Sequence, residues 1–303
     1  MNTIFGIDLG GTKIEGVVLA DAYSTTPLAR LRMPTEAYKG YDHIIQQIKN
    51  LIAGLESVTG QKAEKLGICT PGTFDPSTGL HKNSNTTALN GRPFKLDLSA
   101  ALGLEIAMAN DANCFALAEA KLGAAKGLCR PEECVVFGVI MGTGVGGGLV
   151  VNGKLIGGAQ GITGEWGHNF LDESGGECYC GKIGCVETVI SGPALERYYQ
   201  SISGNYLTLK EIYQAHQDRS DEYASATIKR LVHYFGKSIA GLINIIDPDV
   251  IIIGGGVGNI DLLYTEGKAV IQDFIFNPTV NTRIVKPKLG DSAGVFGAAM
   301  LVA

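Results

Sequence analysis

The run Val136-Phe137-Gly138-Val139-Ile140-Met141-Gly142-Thr143-Gly144-Val145-Gly146-Gly147-Gly148-Leu149-Val150-Val151 sets a glycine-dense block between two apolar, β-branched arms. Such a pattern reads as strand, glycine turn, strand. Without Cβ atoms the turn can adopt positive φ and close its N–H groups around an anion. No lysine follows the glycines, so this is not a G-x-x-x-x-G-K-[ST] loop. A dinucleotide fingerprint would lead into a helix, whereas Leu149-Val150-Val151 begins a second strand. A phosphate cradle and a plain glycine-rich hairpin both remain open on this stretch.

The same order recurs over residues 4–19, with Asp8 ahead of the turn, Gly10-Gly11 within it and Thr12-Lys13 after it. That turn offers backbone donors, a hydroxyl, a cation and a carboxylate able to orient a hydrated Mg²⁺. Its plain alternative is a hairpin with Gly-Gly at the tip. Two hairpins of this kind point to two related half-structures facing one ligand. The 42 glycines among 303 residues are about twice the usual share, without collagen period or low complexity, so close backbone approach to ligands is their expected use.

A chain of this length accommodates two cores, and 45% hydrophobic against 18% charged residues excludes disorder. A net charge of -5 with scattered basic residues argues against a nucleic-acid partner. No apolar run approaches the ~20 residues that span a bilayer, and no signal-like segment precedes the first strand. A cytoplasmic protein with no membrane partner is expected.

Apolar residues Ile44, Ile45, Ile48, Leu51, Ile52 and Leu55 predict an amphipathic helix ended by Gly60. A strand over 65–70 then meets a Pro71-Gly72 turn, at a strand end where α/β sheets bind ligands. Residues 82–91 form a loop of amide and hydroxyl groups, including Asn85, that suits a polyhydroxylated ligand or simply a solvated surface. A strand over 104–109 ends in Asn110-Asp111-Ala112-Asn113, from which a helix runs to about Gly123. Asp111 therefore stands at a strand-to-helix junction, as a functional carboxylate or as a helix cap worth ~1 kcal/mol. Helices are expected over 192–199, 207–217 and 224–246. A buried parallel strand over 250–257 enters a third glycine turn, Gly254-Gly255-Gly256, and a small-residue helix covers 294–301. The expected division is a smaller domain of residues 1–118, completed by 290–303, and a larger one of 119–289.

Glu165-Trp166-Gly167-His168 is followed by Cys178, Cys180 and Cys185. Three thiolates and an imidazole make a closed tetrahedral zinc set, so a structural Zn²⁺ held by His168, Cys178, Cys180 and Cys185 is expected. Disulfides among three cysteines would leave one over, and a reducing cytosol disfavours them. The metal would fix a loop with Glu165 on one side and Glu187 on the other. Cys69, Cys114, Cys129 and Cys134 read as free, buried thiols.

Taken together, these motifs resemble the ROK family (repressors, open reading frames, kinases) of the sugar-kinase, actin and Hsp70 superfamily, over essentially the whole length. The resemblance implies an α/β fold in which two ribonuclease-H-like domains flank a nucleotide and sugar cleft. It also implies a homodimer, with ATP and Mg²⁺ as donor and the 6-hydroxyl of a hexose as acceptor. By resemblance Asp111 is the general base, and Gly72, Asn85, Asn110, Glu165, His168 and Glu187 hold the sugar. Asp8, Gly10, Gly11, Thr12 and Lys13 grip the phosphates together with Gly142, Thr143, Gly144 and Gly146, while Gly254, Gly255 and Gly256 lie along the adenosine. Tyr179 departs from the pattern, since many members carry glycine between the first two cysteines. The sugar-loop and cysteine motifs look most like the fructokinase/mannokinase branch, with N-acetylglucosamine kinase and glucokinase as alternatives. The family's sugar-responsive repressors carry a helix-turn-helix ahead of the D-x-G-G-T-like motif. Here that motif starts at Asp8, so an enzyme is expected rather than a non-catalytic regulator.

Overall fold

The structure is a computed structural model describing residues 3–303. In chain order it begins with β1 (Ile4–Leu9), β2 (Lys13–Leu19), β3 (Ala29–Pro34), α1 (Tyr41–Thr59) and β4 (Lys65–Thr70). A small hairpin, β5 (Thr73–Phe74) and β6 (His81–Lys82), precedes α2 (Phe94–Leu102), β7 (Glu105–Asn110) and α3 (Asp111–Lys121). Then come β8 (Val135–Met141), β9 (Val145–Val151), β10 (Lys154–Leu155), α4 (Val186–Ile190), α5 (Gly192–Ser203), α6 (Leu209–Gln217) and α7 (Glu222–Ile246). The chain finishes with β11 (Val250–Gly254), α8 (Glu266–Ile271), β12 (Arg283–Val285) and α9 (Ala293–Met300). No helix among the described residues is long and apolar enough to cross a membrane.

Two compact units result. The first takes residues up to Glu133, Gly148–Thr163 and Lys288–Ala303; the second takes Cys134–Gly147 and Gly164–Pro287. Residues 119–133, which the sequence assigns to the larger domain, count with the first unit. Glu119 supplies the physical reason. Its fully buried carboxylate accepts from the backbone N–H of Ala124 at 2.7 Å and from Lys288 and Leu289 at 3.0 and 2.8 Å, binding the end of α3 to the returning chain. Cys69 and Cys114 are free and buried as expected, whereas Cys129 and Cys134 are disulfide-bonded.

In the first unit the sheet order is β3-β2-β1-β4-β7, antiparallel on the β2 side of β1 and parallel from β1 through β4 to β7. Strand alternation sends Phe5, Ile7 and Leu9 to the face that α1 covers with Ile44, Ile48, Leu51 and Leu55. Gly6 faces the other way, toward α9. A Cβ on Gly6 would stand 2.5 Å from the Ala299 nitrogen, and one on Gly67 only 1.7 Å from the Ala298 carbonyl oxygen. Backbone therefore packs on backbone, and only glycine fits beneath α9.

The second sheet runs β10-β9-β8-β11-β12, with β8, β11 and β12 parallel. The division between units passes through β9 after Gly147 and leaves β10 with the first. All five residues of β11 are buried, which explains its unbroken apolar sequence. In α7, Ile228, Leu231, Phe235, Ile239 and Leu242 bury one stripe, and Asp221 caps the helix by accepting from Tyr223 and Ala224 N–H.

Candidate functional site

In the first unit the register of three parallel strands brings the expected residues to one sheet edge. Asp8 on β1 lies opposite Cys69 on β4, and Thr70 at the end of β4 lies opposite Asn110 at the end of β7. Ligands of α/β sheets gather at such carboxyl ends. Burial raises the Asp8 pKa, offset in part by the Cys69 thiol bonded to it, with the like charges of Glu15 and Asp111 adding to the rise. Asp111 is also raised, by the desolvation of a carboxyl that reaches solvent from within a crowded recess. Its oxygen accepts from the Ala112 N–H at 2.8 Å.

The helix cap is Asn110, not Asp111. The Asn110 Oδ1 accepts from the Asn113 N–H at 2.8 Å, and α3 already begins at Asp111. The cap thus uses the oxygen of Asn110 and leaves the Asp111 carboxylate to point from the first turn.

The β1–β2 turn closes through Gly10 N–H to the Lys13 carbonyl at 3.0 Å, and leaves Gly11, Thr12 and Lys13 exposed. Thr35, fully buried, pins it from behind: its hydroxyl donates to the Gly10 carbonyl at 2.6 Å and its N–H to Thr12 at 2.9 Å. Gly72 has φ +78, and a Cβ there would stand 2.5 Å from the Lys82 carbonyl, so the Pro71-Gly72 turn lies directly against the Asn85 loop. One recess is lined by Gly11, Tyr38, Asn85, Thr86 and Ala88, which joins an expected phosphate residue to an expected sugar residue within this unit. The Thr86 and Thr70 hydroxyls are buried without a partner among the described residues. Sequence reading singles out none of Thr35, Thr70 and Thr86, because a threonine in a polar run carries no periodic signal.

In the second unit the β8–β9 turn, Gly142-Thr143-Gly144, is held by a carboxylate. Glu187, in the first turn of α4, accepts from the Val145 N–H at 2.9 Å, and a Cβ on Gly144 would stand 2.6 Å from that oxygen. Gly192 donates its N–H to the Gly142 carbonyl at 2.9 Å. At least one Glu187 oxygen therefore shapes the glycine turn. Gly254 ends β11 opposite Ile140 of β8, and Gly255, at φ +81, leaves its Cβ position 2.2 Å from the Met141 carbonyl. The two glycine turns are neighbours along the same sheet edge.

Trp166 and Gly167 act as packing residues. The indole meets Phe137 edge-on and donates to the Gly146 carbonyl at 3.2 Å; a Cβ on Gly167 would stand 2.0 Å from the Val145 carbonyl. They fix the flanking Glu165 and His168 to the glycine hairpin.

His168, Cys178, Cys180 and Cys185 bring one ligand atom each to within 4.8 Å of one another. His168 Nδ1 lies 3.6 Å from Cys178 Sγ, and Cys180 Sγ lies 3.6 Å from Cys185 Sγ. With Zn–S near 2.3 Å and Zn–N near 2.0 Å, the edges of a tetrahedral site would be about 3.4–3.8 Å. The donor set fits zinc. The cysteines sit on a hairpin in which Cys178 N–H donates to Lys182 at 2.8 Å and Gly181 N–H to Cys178 at 2.9 Å. At its tip Tyr179 places its hydroxyl 2.9 Å from His168 Nε2.

A family model described as ROK family matches residues 4–303. The chain is 35% identical to the N-acetyl-D-glucosamine kinase of Histophilus somni, over 98% of both chains. Among solved structures it is similar to a ROK hexokinase from Thermus thermophilus, with 30% identity, a TM-score of 0.85, and 99% and 97% of the two chains covered. A ROK family glucokinase from Streptomyces griseus, solved with glucose and AMPPNP, matches at 27% identity and a TM-score of 0.74 over 99% of each chain.

Proposed function

The chain belongs to the ROK family, and from that premise we propose that it phosphorylates N-acetyl-D-glucosamine at a hydroxyl, with ATP as donor. The class of enzyme is an ATP-dependent sugar kinase. The finer assignment is carried by the full-length likeness to the Histophilus somni N-acetyl-D-glucosamine kinase.

The loop of residues 82–91, which as sequence favours fructose or mannose, uses the side chains of Ser84 and Asn90 on itself. Asn90 accepts from the Ser84 N–H and donates to the Ser84 carbonyl, both at 2.9 Å, while the Ser84 hydroxyl accepts from Thr86 N–H at 3.0 Å. An amide-rich sequence is thus no measure of the hydroxyls a sugar presents. The recess beside it is lined by Ala37, Tyr38 and Ala88 together with Asn85 and Thr86, a mixed apolar and polar lining of the kind an acetamido group can use.

Phosphoryl transfer passes through a loose transition state, so positioning and charge stabilisation matter more than a strong base. Asp111 accepts the proton of the attacking hydroxyl as the new bond forms. The sugar ligands we assign are Asn110, Asn85 and the Gly72 backbone among the residues of the first unit, and Glu165, His168 and Glu187 among those of the second. The exposed N–H groups of Gly11, Thr12 and Lys13 take up phosphate charge, as do those of the Gly142-Thr143-Gly144 turn. Mg²⁺ travelling with ATP would sit by Asp8, where a cation relieves the crowding of the Asp8 and Asp111 charges, and would neutralise phosphate charge there. A zinc held by His168, Cys178, Cys180 and Cys185 would have no open coordination position and would act as scaffolding, tying the loop that carries Glu165 to the helix that carries Glu187.

A panel of N-acetylglucosamine, N-acetylmannosamine, glucose, mannose and fructose, scored by kcat/KM with Mg-ATP, tests the substrate. N-acetylglucosamine is expected to lead by at least roughly tenfold, the discrimination available to a pocket that contacts one substituent. A lead by fructose or mannose, or equal rates, overturns the assignment.

A further inference from the structure

Tyr179 sits where its role is not explained by the metal set. Its neighbours Cys178 and Cys180 are both thiol donors of that set, and the turn from Cys178 to Gly181 is closed by a hydrogen bond of 2.9 Å. The backbone on both sides is therefore tied, and only the side chain is free to rotate. That side chain is 83% exposed, and its ring meets the His168 ring edge-on at 5.1 Å. The phenol is held by a hydrogen bond to His168 Nε2, at 2.9 Å.

His168 has two nitrogens with different tasks. Nδ1 faces Cys178; with Nδ1 given to a metal, Nε2 would carry the proton and donate to the phenol oxygen. The Tyr179 hydroxyl thus stands against one of the side chains read above as sugar ligands, as one hydroxyl of a bound hexose would.

We infer that Tyr179 sets sugar affinity: its phenol and a sugar hydroxyl compete for the His168 Nε2 position, so a bound sugar must displace the phenol. The inference rests on the sugar-kinase reading of this site. Because the side chain is exposed, displacement needs only rotation about χ1. The lost His168 bond is a constant penalty on every sugar, so it acts on KM and leaves the chemical step alone.

The test is Tyr179→Phe, which keeps the ring and removes the hydroxyl. One hydrogen bond corresponds to a roughly three- to tenfold change. KM for N-acetylglucosamine, and its calorimetric Kd without nucleotide, are expected to fall by that factor, with kcat and bound zinc unchanged. Tyr179→Gly should shift KM in the same direction. An unchanged or raised KM in the Phe variant overturns the inference, as does loss of zinc together with weaker binding, which would make the phenol a support for the metal ligand. If the wild-type protein phosphorylates no sugar, the underlying reading fails instead, and the two failures are distinct.

Discussion

At Asp111 the sequence leaves two roles open, and one neighbouring hydrogen bond separates them. With Asn110 capping α3, the carboxylate is not needed to hold the helix. Asp111→Asn is therefore expected to fold normally and bind ATP with unchanged affinity in calorimetry, while kcat falls by about 10²–10⁴, the usual contribution of a general base. Near wild-type kcat would remove Asp111 from the chemistry. The pH dependence has a definite sign. Burial raises the Asp111 pKa, and only the ionised form accepts a proton, so kcat/KM is retained above that raised pKa and lost as pH falls through it. The acid limb should lie above the ~3.9 of an ordinary aspartate, and the Asn variant should lack it. Single residues were readable where type and spacing coincide, as in the His168 and cysteine set. Thr35 and Asn90 were not, because their work is to hold other backbone in place.

Elements with an uninterrupted pattern are plain in the sequence: α1 and α7 from their apolar spacing, β11 from its buried run. The small-residue composition of α9 signals tight packing but not its partner, which depends on glycines at Gly6 and Gly67. Gly67→Ala would drive a methyl into the Ala298 carbonyl. Overpacking of this kind typically costs about 1–3 kcal/mol, and a lower denaturant midpoint with unchanged slope would register it; an unchanged midpoint would mean that α9 packs elsewhere. The cysteine hairpin carries its own prediction. The purified protein should hold about one zinc per chain by elemental analysis, and Cys180→Ser should lose it. Since the hairpin links the supports of Glu165 and Glu187, kcat/KM should drop at least about tenfold, the scale seen when a metal site's support is weakened. Zinc-free wild-type protein with full activity would show that the thiols need no metal.

At the scale of the molecule the two-sheet α/β plan followed from the recurring hairpins, because strand–turn–strand is a local pattern. The composition of each compact unit did not. The return of the C-terminal helix to the first unit was legible, but residues 119–133 and Gly148–Thr163 join that unit through long-range contacts that leave no periodic trace. Sugar identity is equally faint, since hexoses differ by one substituent and such differences rest on a few kcal/mol of contact. The seat of α9 on Gly6 and Gly67 also bears on synthesis. A ribosome makes β1 long before α9, so at ~5–20 residues per second the nascent sheet waits on the order of fifteen to sixty seconds with its glycine face bare. Until then the early strands are a client for whatever shields exposed backbone at the exit tunnel, and a message cut short before residue 293 would leave them one permanently.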